Sequence, residues 1–433
     1  MSVLFENASA VLMDEKNTVL EGAFVAVEGD KISYVGTQRP QGAFGQVIDA
    51  AGKVLMPGLV NAHTHVPMTL MRGYGDGNNL QDWLNKFIFP VEDKWDGRAI
   101  RSAAALGLAE MIMSGTTCLA DMYMFCDEIC QEVAAAGINA NIARGVTAFD
   151  PAADFSTWTS CVETRELVDK WHGYNNGQIR VDACLHGEYT SFSAPQIWDS
   201  VAQYAKEKGL GMHIHISETK TEHEECLSRW GMTPVQVMEK HGLWDVRAIA
   251  AHCVWTTQDD WAIMAEHGVS AVHNPCSNLK LGSGVAPVIG MRKAGVNVAL
   301  GTDGVSSNNT TDLFEDMKIA AMLQNGVEHD PLALLPSDAL RMATVNGAKA
   351  LGRNTGRIAA GCDADLILVD FSHVNLMPRH DVISNLVYAA HGCDVSMNMC
   401  RGKVIYKDGE FLTIDIDRVK REVKEYALPL LFG

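Results

Sequence analysis

The sequence predicts an α/β protein: a TIM-type (β/α)8 barrel over residues 58–354, joined to a small β-sandwich built from both chain ends, 1–57 and 355–433. Three observations carry this expectation. Eight strand-like segments alternate with helix-like ones through the middle of the chain. Histidine and aspartate recur at the ends of the first, fifth, sixth and eighth of those strands. Both termini read as short strands broken by turn residues.

The barrel strands follow in order. They are GLVNAH (58–63), TTCLADMY (116–123), INANIARGV (138–146), IRVDACLHG (179–187), GMHIHIS (211–217), AIAAHC (248–253), VSAVHN (269–274) and VNVALGTDG (296–304). Short apolar runs bounded by Gly, Asn and Asp suit parallel strands buried on both faces. Helical spacing of apolar residues fills the gaps, as in 101–115, 194–209 and 259–268. Eight such alternations over nearly 300 residues match a (β/α) barrel. A doubly wound sheet is the competitor, but it does not readily bring strands one, five, six and eight to one point. At the ends, VLFENASAVLM, GAFVAVEGDKISYVG and QVIDAAGKVLMPG pair with GCDADLILVD (361–370) and MNMCRGKVIYKDGEFL (397–412) as sandwich strands. KDG (407–409) supplies a hairpin turn signal. A last helix is expected over 417–427.

Bulk properties narrow the function classes. The chain has 433 residues, 47% hydrophobic and 20% charged, an ordinary globular balance. Its net charge of −18 argues against a nucleic-acid partner, which clustered Lys and Arg would bind. Eleven cysteines without a tight pairing pattern fit free thiols in a reducing compartment. The first twenty residues lack the charged start and apolar core of a signal peptide. No apolar run reaches the ~18 residues of a membrane span. A cytoplasmic protein is expected, with no membrane partner and a tendency to form a homo-oligomer, as such barrels often do.

The chemistry concentrates at the strand ends. His63 and His65 stand at i and i+2 in NAHTH, so both imidazoles face one side of their strand. His213 and His215 form a second HxH, with Glu218 just beyond the strand end. His252 and Asp303 end two later strands. Any one of these is commonly a core or surface residue; four strand ends in the same barrel point to a metal site. Several imidazoles with one carboxylate suit zinc or another borderline divalent ion, not calcium. A water held there would have its pKa lowered toward ~7. Asp303 could bind the metal and accept the water's proton, Glu218 could shuttle a proton to substrate, and His252 could orient the water and stabilise developing charge. Arg144 ends the third strand, where it could meet a substrate carboxylate or form a structural ion pair. GYGDG (73–77) reads as a loop over the barrel mouth, and Met68 and Met71 as residues that could line a pocket.

PGLVNAHTH, HIHISET, AAHC, NPCSNLKLGSG (274–284) and GTDGVSSNN (301–309) together resemble the amidohydrolase superfamily, in its branch of aminohydrolases and chlorohydrolases of nitrogen heterocycles. The resemblance covers nearly the whole chain. It implies that His63, His65, His215 and Asp303 bind a single Zn2+ and that Glu218 and His252 complete the catalytic set. Two-metal relatives carry a carboxylated Lys on the fourth strand; IRVDACLHG has none, which favours one metal per chain. The resemblance also places Trp83 and Glu92 in a nucleoside pocket, packing on the purine or sugar and accepting the ribose hydroxyls. His186 would contact the substrate. The chain departs from the family's HxPYxCS pattern after His186, where Gly187-Glu188-Tyr189 puts an extra carboxylate beside the pocket.

The implied activity is zinc-dependent hydrolytic deamination of an adenosine-type nucleoside (methylthioadenosine, S-adenosylhomocysteine or a relative) to the inosine-type product and ammonia. The alternative is an aminohydrolase or chlorohydrolase of a free heterocycle: guanine, pterin or triazine. A non-catalytic scaffold would show damaged ligands, and all five metal-type residues are present.

Overall fold

A computed structural model of the protein describes residues 2–78 and 80–433. The N-terminal segment supplies β1 (Ser2–Val11), β2 (Val19–Glu28), β3 (Lys31–Gly36), β4 (Gln46–Asp49) and β5 (Lys53–Pro57). The middle of the chain supplies β6 (Leu59–His65), β7 (Thr116–Tyr123), β8 (Asn139–Arg144), β9 (Ile179–Cys184), β10 (Met212–Ile216), β11 (Ala248–His252), β12 (Ser270–His273), β13 (Asn297–Leu300) and β14 (Asp303–Gly304). The C-terminal segment adds β15 (Leu366–Asp370), β16 (Val395–Cys400), β17 (Lys403–Lys407) and β18 (Glu410–Phe411).

The barrel forms as the alternation predicts. β6 to β13 pair in sequence order, all parallel. β13 and β14 are two pieces of the eighth strand. The first pairs with β12, and the second returns to β6 through Asp303 opposite Thr64 and Gly304 opposite His65. At the break between them, Thr302 N–H donates to Asn61 Oδ1 at 3.0 Å and Asn61 Nδ2 donates to Thr302 Oγ1 at 2.8 Å. Side chains thus close the seam where the backbone ladder is interrupted. Gly301 has to be glycine there: a Cβ would sit 2.9 Å from His63 N and 2.6 Å from Asn274 Oδ1.

Strand burial explains why the pattern was readable. All eight residues of β7 and all five of β10 and β11 are buried. Strands covered on both faces appear in sequence as unbroken apolar runs. The expected helices are present at Gly97–Met113, Gln196–Lys208 and Gln258–Glu266. Asp96 caps the first through Ala99 N–H, and Thr257 with Asp260 forms a capping box on the third.

Both chain ends build one further sheet, ordered β18-β17-β16-β15-β5-β1-β2-β3, with β4 beside β1. The expected sandwich is one continuous hydrogen-bonded sheet with a core of its own, in which Phe5, Val25 and Val27 pack with Leu366, Met397 and Met399. The final helix runs Ile416–Glu422, a π turn Val423–Ala427, then Leu428–Phe432, longer than 417–427. A second π turn, Leu84–Ile88, lies beside the barrel mouth. Each is followed two residues later by a proline, Pro90 and Pro429, which gives the helical ladder no N–H. Among the described residues no helix is long and apolar enough to cross a membrane.

Candidate active site

The strand ends bring five metal-type side chains to one point. His63 Nε2 lies 3.4 Å and His65 Nε2 3.3 Å from Asp303 Oδ1. His215 Nε2 is 3.3 Å from His65 Nε2. Ligand atoms of His63, His65 and Asp303 fall within 4.8 Å of one another, and so do those of His63, His215 and His252. Glu218 lies beyond β10, with Oε2 3.8 Å from His252 Nε2 and Oε1 accepting from Ser283 Oγ at 3.3 Å. Ser217, His252, Cys253 and Asp303 all take left-handed backbone conformations, with φ of 48°, 74°, 53° and 62°. Such strain persists where the surrounding structure over-determines it, and it clusters at functional sites.

Burial sets the protonation states. It is the main cause holding the His63 imidazole down to about 4 and His215 well below the ordinary value, so both are neutral near pH 7. Burial likewise pushes the Glu218 carboxyl up, against the opposing pull of His252. For His252 burial acts downward, but the Glu218 and Asp303 carboxylates outweigh it and its pKa rises. Burial would raise Asp303, yet the surrounding imidazoles, His63 foremost, hold it well below the carboxylate range.

A cavity of about 420 Å³ opens onto this cluster, within the range of small-molecule sites. His65, His215, Glu218, His252 and Asp303 line its inner end. Trp83, Glu92, Arg144 and His186 line it as well, together with Met68, Tyr123 and Tyr189. Glu92 accepts from Tyr123 OH at 2.6 Å, and burial is the main cause raising its carboxyl. Trp83 Nε1 and His186 Nδ1 are buried polar atoms with no partner. Met71 is core and does not reach the cavity. The 73–77 loop is tied down: Asp76 pairs with Lys280 at 2.7 Å, and Gly75 (φ 76°) packs where a Cβ would lie 2.9 Å from Phe87.

The amidohydrolase family profile matches residues 54–405, spanning all the barrel strands and both metal-type groups. The chain belongs to the amidohydrolase family. It is 42% identical to a 5-methylthioadenosine/S-adenosylhomocysteine deaminase of Acetivibrio thermocellus across 100% of both chains. It is 39% identical to a 5'-deoxyadenosine deaminase of Methanosarcina mazei, over 99% of this chain and 98% of that one. Among solved structures it resembles an adenosine deaminase from Xanthomonas campestris with bound zinc, at TM-score 0.93 and 32% identity, covering 99% and 98% of the two chains. This amidohydrolase is a hydrolase acting on C–N bonds of cyclic amidines.

The donor set of the amidohydrolase site fits a metal. His63 Nε2 is fully buried and has no hydrogen-bond partner, an arrangement that is costly unless a ligand uses the atom. Neutral imidazoles and an ionised carboxylate are what a zinc-type ion requires. Sequence reasoning missed the layer behind these side chains. His65 Nδ1 meets Met122 O at 2.5 Å, His215 Nδ1 meets His186 O at 2.6 Å, and His63 Nδ1 meets His213 Nε2 at 2.8 Å. His252 Nδ1 meets Asn278 Oδ1 at 2.8 Å. Asp303 Oδ2 accepts from Ser277 Oγ at 2.6 Å and Ser307 Oγ at 3.0 Å. Glu222 accepts from the N–H groups of Ser217 and Glu218 at 2.9 and 2.8 Å, fixing the turn that carries Glu218. NPCSNLKLGSG and GTDGVSSNN held the Asn and Ser partners in plain view, but nothing local assigned them to a ligand.

Two residues near the cavity are committed elsewhere. Arg144 Nε donates to Glu163 Oε2 at 2.5 Å, the structural ion pair that sequence reasoning had set beside a substrate role. Glu188, the extra carboxylate after His186, is fully buried and points away. It accepts from Arg229 Nε and Nη2 at 3.0 and 2.6 Å and from Trp230 Nε1 at 2.8 Å.

Proposed function

We propose that the protein deaminates an adenosine-type nucleoside by zinc-dependent hydrolysis, giving the inosine-type product and ammonia. The observation that carries the nucleoside reading is the half-buried Glu92 carboxyl in the same cavity as Trp83, Glu218 and His252. A bare heterocycle has no hydroxyls for Glu92 to accept. The names of the full-length relatives support the same class.

His63, His65, His215 and Asp303 would hold one zinc per chain, and the ion supplies water activation at neutral pH. The remaining steps belong to the protein. Glu218, whose carboxyl burial shifts toward the protonated form, gives a proton to the ring nitrogen next to the amino-bearing carbon. Asp303 accepts the proton of the attacking water. His252, kept in orientation by Asn278, stabilises the charge that develops on the added oxygen. The tetrahedral carbon then collapses: the proton held by Asp303 passes to the amino group, the C–N bond breaks and ammonia leaves. The added hydroxyl becomes the carbonyl by returning its proton to Glu218, and the ring nitrogen keeps the proton it received. His186 and the indole N–H of Trp83 position the nucleoside, and Glu92 takes the ribose hydroxyls. The division into a catalytic barrel (58–354) and a supporting two-ended sheet (1–57 with 355–433) is part of this reading. So is a cytoplasmic location, supported by eleven unpaired cysteines.

Ammonia release measured across adenosine derivatives and free bases tests the proposal. Turnover of adenosine derivatives is expected. Turnover of guanine, pterin or triazine alone would replace it with the free-heterocycle reading.

A further inference from the structure

Besides the metal-type cluster, Trp83 and Glu92, the cavity is lined by the apolar side chains Leu80, Leu84, Phe89, Met124 and Phe149, with Asp93, Arg144 and Thr147 among its polar groups. Two of these aromatic rings face solvent, Phe149 at 62% exposure and Phe89 at 37%. Exposed rings at a cavity rim mark a place where an apolar ligand group is covered. With the purine at the cluster and the ribose at Glu92, this rim is left for the substituent on the sugar's terminal carbon.

Among the described residues Arg144 is the one Lys or Arg that lines the cavity, and it is already paired. Its Nε is bound to Glu163 at 2.5 Å and its Nη1 to Gly145 O at 2.5 Å. Behind it lies a second cavity that shares Met124 and Arg144 with the first. That chamber is lined by four carboxylates, Asp127, Glu128, Glu163 and Glu166, against Lys170, itself paired with Asp127 at 2.6 Å. A substrate carboxylate reaching this end competes with Glu163 for the Arg144 guanidinium and approaches the other carboxylates. Like charges brought together this way work against binding.

We infer that the protein discriminates among adenosine derivatives by this pair: Glu163 occupies Arg144, so the site takes a small, uncharged apolar substituent at the sugar's terminal carbon and disfavours an amino-acid tail. This rests on the nucleoside reading and sharpens it. A methylthio or unsubstituted methyl terminus fills the Leu84–Phe89–Phe149 rim. The tail of S-adenosylhomocysteine brings a carboxylate that Glu163 has already replaced. Glu163 itself stays outside the lining of the first cavity.

The test compares 5'-methylthioadenosine with S-adenosylhomocysteine, by kcat/KM on the zinc-loaded protein and by calorimetric binding to the Glu218→Gln variant. Roughly tenfold or greater preference for 5'-methylthioadenosine is expected in both. Glu163→Gln, which frees Arg144, should raise kcat/KM for S-adenosylhomocysteine about tenfold and leave 5'-methylthioadenosine within about twofold. Equal or better use of S-adenosylhomocysteine by the parent protein overturns the inference. So does a Glu163→Gln variant, or a Glu163→Ala companion, that changes both substrates alike. Absence of ammonia from every nucleoside would refute the deaminase reading instead, and the binding ratio would still decide this one. Binding of neither nucleoside would overturn both.

Discussion

His63 Nδ1 and His213 Nε2 lie 2.8 Å apart inside the barrel, each side chain essentially inaccessible to solvent. The two histidines are 150 residues apart in sequence. With a metal on His63 Nε2, its Nδ1 would carry the proton and donate to His213 Nε2, which would fix the tautomer and ring orientation of His63. Such partners behind a metal ligand typically change affinity by about 10–100-fold. His213→Ala should therefore weaken zinc binding by that factor with the fold retained, measured by chelator competition and circular dichroism. Unchanged affinity would leave His213 as core filler only.

Glu218 and Glu92 separate chemistry from binding. Glu218→Gln keeps the hydrogen-bond partner of Ser283 but cannot carry the proton. It should bind zinc and lose about 10²- to 10⁴-fold in kcat. Glu92→Ala should raise KM for nucleosides and spare kcat. Steady-state kinetics with metal analysis of both variants separates the two effects; near-parent kcat in Glu218→Gln would exclude it as the proton carrier.

Buried imidazoles give the metal-free protein a defined pH response. Burial, ahead of all other causes, holds His63 at about 4 and His186 and His273 at about 3. In the unfolded chain each titrates near 6.5. Below that pH the unfolded state takes up protons that the native state refuses, so stability falls as pH falls. The loss runs from about 6.5 down to about 4 for His63 and to about 3 for the others. Each imidazole contributes up to about 1.4 kcal/mol per pH unit. Burial also raises Glu222 to about 8 and Asp316 to about 7, which act in the opposite sense. The histidine part is therefore read by difference. His273→Gln should make the melting temperature of the metal-free protein less sensitive to acid between pH 7 and pH 5 than the parent's, and an unchanged profile would contradict the burial argument.

Glu188 should prove an anchor and not a substrate group. Leaving the Arg229 guanidinium without its buried carboxylate costs about 3–5 kcal/mol. Glu188→Ala should lose stability on that scale in denaturant melts, while Glu188→Gln, which keeps hydrogen-bond acceptance, loses less. Nearly normal kcat per bound zinc is expected for Glu188→Gln. A large KM change without loss of stability would place the carboxylate at the substrate.

The sequence made the barrel legible because parallel strands buried on both faces leave unbroken apolar runs, β7 and β10 above all. The convergence of His63, His65, His215, His252 and Asp303 was legible because each stands at the end of a strand of one barrel, with His63 and His65 at the strand's period of two. The partners behind them were not. Asn278 reaches His252 across 26 residues, and Ser277 reaches Asp303 across the same span, through the helix Pro275–Lys280. Arg144 and Glu163 meet because the helix Thr159–Trp171 packs beside β8. Those contacts depend on how elements dock, which no local pattern encodes. The single two-ended sheet was half legible: its strands showed as alternation, its continuity across the termini only in the β5–β15 pairing.

The most direct test is to locate the metal. Crystals of the zinc-loaded protein, read by anomalous scattering at the zinc edge, should show one ion per chain bound by His63, His65, His215 and Asp303, with Glu218 and His252 facing the open side. A zinc ion held away from Asp303 and the His63–His65 pair, or none retained at stoichiometric loading, would contradict the account.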